Sequence, residues 1–312
     1  MISSIFSKTK PVNYLLLLGF LFVFFWLMHL LHFKRDYSPE QYVFQLLLLG
    51  FLFFSLFLVN FMVQRNQITG TNSFAMLYYI LLIVLFPEVL LDENAILCSF
   101  FLLVAGRRII SLKTLRNSKL KILDATIWIA VASLFYDWAL LFLILVYIAI
   151  YFYEPKNFKN WLVPLSGLLT FVLIASGLLV LMGIPDYLLQ HYRFSLSLDR
   201  DFMALWTFNT KLLFYTVLIV LTAMLAFLKM GKLGLGRIIT IRLVAIYLGI
   251  GLVVTFLKTN AGVYPVLITF FPAATLITKY VEVIKRPKVK EAVLILSVIL
   301  PFILLWTQGI MK

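Results

Sequence analysis

The chain has 312 residues, of which 63% are apolar and only 13% charged, and its formal net charge is +14. Soluble domains carry roughly 45–50% apolar and about 25% charged residues, so this composition leaves too little polar surface to coat a water-soluble globule. The cations lie in short loops between apolar runs, with no basic aromatic groove, which points to anionic lipid headgroups and not to nucleic acid.

A hydrocarbon layer about 30 Å thick needs roughly 20 apolar helical residues per crossing. Eleven runs meet or approach that requirement: 13–32, 42–63, 73–91, 95–111, 123–136, 138–153, 161–183, 205–228, 239–257, 262–280 and 291–308. The expected fold is an all-α polytopic membrane protein of about 11 transmembrane helices, one domain over 1–312. The longest intervening stretches, 106–122 and 184–204, fall far below the roughly 40 residues at which a soluble domain folds unaided.

Run 13–32 leads into His32-Phe33-Lys34-Arg35 and not into a small-residue cleavage site, so it reads as an anchor and not as a cleavable signal peptide. His29 and His32 are spaced i, i+3 on one helix face, a spacing that serves a metal or, more simply, two snorkelling rings at the interface. With His191 as the third and last histidine, a four-histidine iron site cannot be built, and neither a metal nor a cofactor is expected. The loop after this run places Arg35, Asp36 and Glu40 together. They belong to a set of acids and bases with Glu88, Asp92, Glu93, Asp137, Asp186, His191, Arg193, Asp199, Arg200 and Asp201 that falls on one side of the predicted membrane.

Cys98, the only cysteine, lies in an apolar run and reads as a small packing side chain. The following loop carries Arg107, Arg108, Lys113, Arg116, Lys119 and Lys121. Its basic and apolar positions interleave on a helical wheel, and Asn117-Ser118 offers a break. Two short interfacial pieces on anionic lipid are expected, with docking of an acidic partner or a prenyl phosphate as further uses. Runs 123–136 and 138–153 are short and separated only by Tyr136-Asp137-Trp138; a carboxylate in so tight a turn is poorly solvated and needs a partner. Asn60, Pro164, Lys211, Gly249, Gly251, Lys258, Asn260, Pro265, Pro272 and Pro301 interrupt the runs, predicting kinks and helix crossings, with Lys211 and Lys258 snorkelling outward. Gly249 and Gly251 lack the GxxxG spacing of close helix pairs, and no internal repeat is evident.

Orientation follows from loop charge. With the N-terminus cytoplasmic, twenty of the 27 Lys and Arg residues fall inside and nine of the 13 Asp and Glu residues outside; the opposite orientation inverts that bias. The C-terminus is then expected on the outer, periplasmic side.

Three stretches carry a family resemblance: the start, Met1-Ile-Ser-Ser-Ile-Phe-Ser-Lys-Thr-Lys-Pro-Val-Asn13; then Arg65-Asn-Gln-Ile-Thr-Gly-Thr-Asn-Ser73 leading to Phe86-Pro87; and Arg107-Arg108-Ile-Ile-Ser-Leu with Lys121-Ile-Leu-Asp-Ala125 and Trp128-Ile-Ala-Val-Ala-Ser-Leu-Phe-Tyr136. Together they resemble an uncharacterised family of polytopic inner-membrane proteins of Bacteroidota, over nearly half the chain. The resemblance implies a multi-pass protein of a bacterial cytoplasmic membrane. It carries over no catalytic residue, because the family has no assigned reaction. Some members bear a carotene-cleaving oxygenase label, which the three histidines here do not support.

Two classes of function are compatible with these features. In the first, the chain is a non-catalytic subunit of a cell-envelope assembly (secretion, motility or envelope biogenesis) that binds other membrane proteins and anionic lipid. In the second, it is a glycosyltransferase, polymerase or carrier for polyprenyl-phosphate-linked sugars, with Asp36 or Asp137 as general base. The loop holding Asp36 is short for the interfacial helices of such enzymes, so the first class is preferred.

Overall fold

In the computed structural model, residues 2–194, 206–228, 235–260 and 263–310 are described. Asp199, Arg200, Asp201, Lys229, Lys232 and Lys312 of the sequence reading lie outside them. The described residues form α1 (Ile2–Phe6), α2 (Pro11–Leu27), α3 (Pro39–Arg65), α4 (Phe74–Leu85), α5 (Glu93–Ile110), α6 (Ser118–Ser133), α7 (Leu143–Tyr153), α8 (Phe158–Leu181), α9 (Tyr187–His191), α10 (Trp206–Leu228), α11 (Leu235–Lys258), α12 (Phe270–Val283) and α13 (Pro287–Ile310). Among the described residues, eight helical segments are long and apolar enough to cross a membrane, and Phe74–Leu85 and Asp137–Tyr153 are shorter apolar ones.

The elements follow from local chemistry. Helix α3 opens with a reciprocal cap in which Gln41 N donates to Ser38 Oγ and Ser38 N donates to Gln41 Oε1, with Pro39 in the first turn. Inside the apolar helices, Thr126, Thr255, Thr275 and Thr278 each donate their hydroxyl to the carbonyl four residues back, so these four hydroxyls are satisfied within their own helix.

Helices α4, α5 and α12 are the most enclosed, and α8, α10 and α13 lie at the periphery with long exposed apolar flanks. Helix α5 packs on α3 and α6, and α6 packs on α8. The α6–α8 crossing is tight: a Cβ at Gly167 would lie 3.0 Å from Thr126 Cγ2. Gly251 also serves close packing, since a Cβ there would lie 3.1 Å from Thr269 Cγ2, whereas Gly249 faces open space. The one-residue spacing had given no reason to separate the two.

Among the described residues, three of the four 3-10 segments stand beside short helices: Pro87–Leu91 after α4, Asp137–Phe142 before α7 and Pro265–Thr269 before α12. Each is preceded by an aromatic residue in a non-helical conformation, namely Phe86, Tyr136 and Tyr264. At about 2.0 Å per residue against 1.5 Å in an α-helix, such segments lengthen short helices: Asp137–Tyr153 reaches roughly 29 Å and Pro265–Val283 about 31 Å. The sequence had predicted a bare turn at Tyr136-Asp137-Trp138; Asp137 instead opens a 3-10 segment.

Candidate functional site

The three 3-10 segments meet around Asp92. This residue follows Pro87–Leu91 and caps α5, its Oδ1 accepting from Ala95 N at 3.0 Å. Its Oδ2 accepts from the Tyr136 hydroxyl and from Tyr264 N, the residues that precede the other two segments. One carboxylate therefore fastens three chain reversals. Asp92 is 5% exposed. Burial raises its pKa above the ordinary carboxylate value, while the hydrogen bonds it accepts pull the other way.

Two ion pairs flank this hub. Lys211 Nζ on α10 donates to Glu88 Oε1 at 2.7 Å and to the Leu85 carbonyl at 3.4 Å, above the Phe86 and Phe208 rings. Lys258 Nζ, at the end of α11, lies 3.0 Å from Asp137 Oδ1. Both lysines thus bind acids of the 3-10 segments, correcting the expectation that they snorkel outward. The reason is the low dielectric around them, where a partnered charge is far cheaper than a bare one.

The signal for this arrangement lies in a short internal echo. Leu85-Phe86-Pro87-Glu88 and Leu134-Phe135-Tyr136-Asp137 place an acid at the same offset after Leu-Phe, and each acid pairs with a lysine in a later apolar run. Tyr264-Pro265 repeats the aromatic and the 3-10 turn without the acid. Asp92 itself had been included among the outer acids but not singled out. Its role depends on Tyr136 and Tyr264, 44 and 172 residues away, which no local pattern shows.

The other candidates fall around this core. Asp36 is exposed in the α2–α3 loop, whereas Asp137 is buried and paired with Lys258, so the two alternative catalytic residues stand in different surroundings. His29 is buried within a π-helical turn, Met28–His32; its Nδ1 and the Tyr37 hydroxyl share a 2.5 Å hydrogen bond, and its ring stacks on Phe25. No group of three or more His, Cys, Asp or Glu side chains able to hold a metal occurs among the described residues. His191 Nε2 donates to the Ser133 carbonyl at 2.7 Å and Tyr187 donates to the Leu134 carbonyl, covering the end of α6.

At the opposite end of the bundle the cationic loop forms the ends of two helices, and the separate interfacial pieces expected from the sequence are not formed. Arg107 and Arg108 stand in the last turn of α5, which runs on as a 3-10 turn, Ser111–Thr114; Leu115 and Asn117 then take left-handed conformations and α6 begins at Ser118. Asn117-Ser118 is the break the sequence suggested. Arg107 lies over the Phe61 ring, and Arg108 pairs with Asp124 at 3.0 Å. Lys113 donates to the Asn66 carbonyl, and Lys121 to the Ser111 carbonyl and Thr114 Oγ1. Arg116 and Lys119 are exposed. The four acids on this side are each engaged. Besides Asp124, Glu154 accepts from Ser118 and Asn160, Glu282 accepts from Gly70 N at 2.6 Å and Asn72 Nδ2 at 2.5 Å, and Glu291 accepts from Ser3 N.

Comparison with protein-family models, with curated proteins and with solved structures finds no match for this chain.

Proposed function

We propose that the chain is a non-catalytic integral subunit of a bacterial cell-envelope assembly, seated in the cytoplasmic membrane. The observation that carries this reading is the use made of the carboxylates nearest the membrane. Asp92, Glu88 and Asp137 are each tied to groups on distant helices in bonds that hold the bundle together, and a general base needs a carboxylate free to meet a substrate. The exposed apolar flanks of α8, α10 and α13 supply surface for helices of other membrane proteins as well as for lipid. The resemblance to inner-membrane proteins of Bacteroidota agrees with this placement.

Eleven crossings, with the N-terminus cytoplasmic and the C-terminus periplasmic, follow if the three helices extended by 3-10 turns, and α6, all span. The hub around Asp92 then lies on the periplasmic side and the cationic loops on the cytoplasmic side, in agreement with the positive-inside rule. One observation favours the enzyme or carrier reading for polyprenyl-phosphate sugars: Asp36 is exposed beside Arg35 in the first outer loop. Mild detergent extraction of the tagged chain separates the two. Stoichiometric membrane partners support the subunit; a lone monomer holding a polyprenyl lipid, with Asp36→Asn abolishing function at normal abundance, supports the enzyme.

A further inference from the structure

Between the C-terminal part of α10 and the middle of α11 lies a groove of about 530 Å³. Its walls are apolar: Ala223, Met224 and Phe227 from α10 and Ala245, Gly249 and Leu252 from α11. At 1.5 Å per residue the lining stretches on the two helices are each roughly 10–12 Å long, most of the roughly 15 Å depth of one leaflet's hydrocarbon layer. Small side chains keep the groove open, and a Cβ at Gly249 would meet nothing within 4 Å.

A charge stands at the mouth. Arg242 lies three residues before Ala245 and seven before Gly249, spacings that put it on the same side of α11 as the groove. It is exposed, about 10 Å along α11 from its start, and no carboxylate among the described residues pairs with it. Its guanidinium reaches toward the headgroup level, where its fork of donors fits a phosphate bidentately. Apolar slot and cation together match a molecule with an acyl chain and an anionic phosphate at its end.

We infer that the α10–α11 groove is a binding site for one anionic glycerophospholipid, its acyl chain lying between Ala223 and Gly249 and its phosphate on Arg242. The site is independent of the collar formed by Arg107 and its neighbours and of the subunit reading.

The test is native mass spectrometry of the full chain in detergent, titrated with phosphatidylglycerol. Wild type should retain one lipid. Arg242→Gln, which removes the phosphate partner, and Gly249→Phe, which fills the slot, should each weaken retention by about tenfold. Ala223→Leu narrows the opposite wall and should act like Gly249→Phe, so the result does not hang on one variant's folding. Gly19→Phe, at an exposed position on α2 with equal room for a side chain, should change nothing. Unchanged retention in both groove variants overturns the site, as does loss in Arg242→Gln alone, which reduces it to a surface phosphate contact. Co-purification of a polyprenyl phosphate, or a change of oligomeric state in Gly249→Phe, would overturn the glycerophospholipid assignment in favour of another occupant.

Discussion

The two ends of this bundle use charge in opposite ways. At the end that holds Asp92, acids and lysines are drawn inward: the Glu88–Lys211 side chains are 19% and 9% exposed, and Asp137 is 3% exposed against Lys258. At the other end Arg116 and Lys119 face outward and the Arg108–Asp124 pair is 40% and 34% exposed, while Lys279–Glu282, at 15% and 16%, is the enclosed pair on that side. Buried pairs fix helix positions, because removing one partner strands the other in a low dielectric; exposed pairs are screened and hold little. The first end should therefore govern folding and the second should govern interaction with the lipid surface.

Asp92→Asn should have the largest effect. An amide in that place must turn an N–H toward Ala95 N or toward the Tyr136 and Tyr264 donors, at a cost of about 2–4 kcal/mol in unfolding free energy. Thermal unfolding in detergent measures it, and a loss below about 1 kcal/mol would remove Asp92 from the centre of the account. The same residue sets a pH dependence. Because burial raises its pKa above the ordinary 3.8, the folded chain binds the proton more tightly than the unfolded one. The advantage of wild type over Asp92→Asn should be largest below that pH and shrink as pH rises through the elevated value. An advantage that grows with pH would mean the hydrogen bonds outweigh burial.

Next comes Glu88→Gln, expected to cost about 2–3 kcal/mol by leaving Lys211 without its counter-charge. The double replacement Glu88→Gln with Lys211→Met should recover most of that loss. A double variant no better than the single one would show that the pair does not act as a unit.

How much of this was legible in the chain varies with the range of the interaction. Helix positions were, because apolar run length is a local property: observed α3 and α8 cover the predicted 42–63 and all but the last residues of 161–183. The need of Asp137 for a partner was legible too, from its tight turn. That the partner is Lys258, and that Lys211 serves Glu88, was not, since each pairing closes more than a hundred residues of chain. The 3-10 segments escaped because apolar composition does not distinguish them from α-helix, and Asp92 escaped because two of its three donors arrive from distant loops.

At the cationic end, replacing Arg107, Arg108, Lys113 and Arg116 by Gln should leave thermal stability within about 0.5–1 kcal/mol of wild type. Each basic residue near an anionic surface is worth about 1 kcal/mol of attraction, so membrane insertion should suffer instead. A periplasmic reporter fused after Lys312 should lose part of its activity. A large fall in stability with insertion intact would reverse the contrast between the two ends.

The central claim is that the inward carboxylates hold helices and perform no reaction, and the Asp137–Lys258 pair tests it most directly. Asp137→Asn combined with Lys258→Gln replaces the ion pair by a neutral amide pair that can still hydrogen-bond across the same gap but can neither bind nor release a proton near neutral pH. Expressed in a deletion strain, this double variant should accumulate normally, co-purify the same partners and restore the wild-type phenotype. Normal abundance and partners without restored phenotype would contradict the account and make Asp137 a working carboxylate.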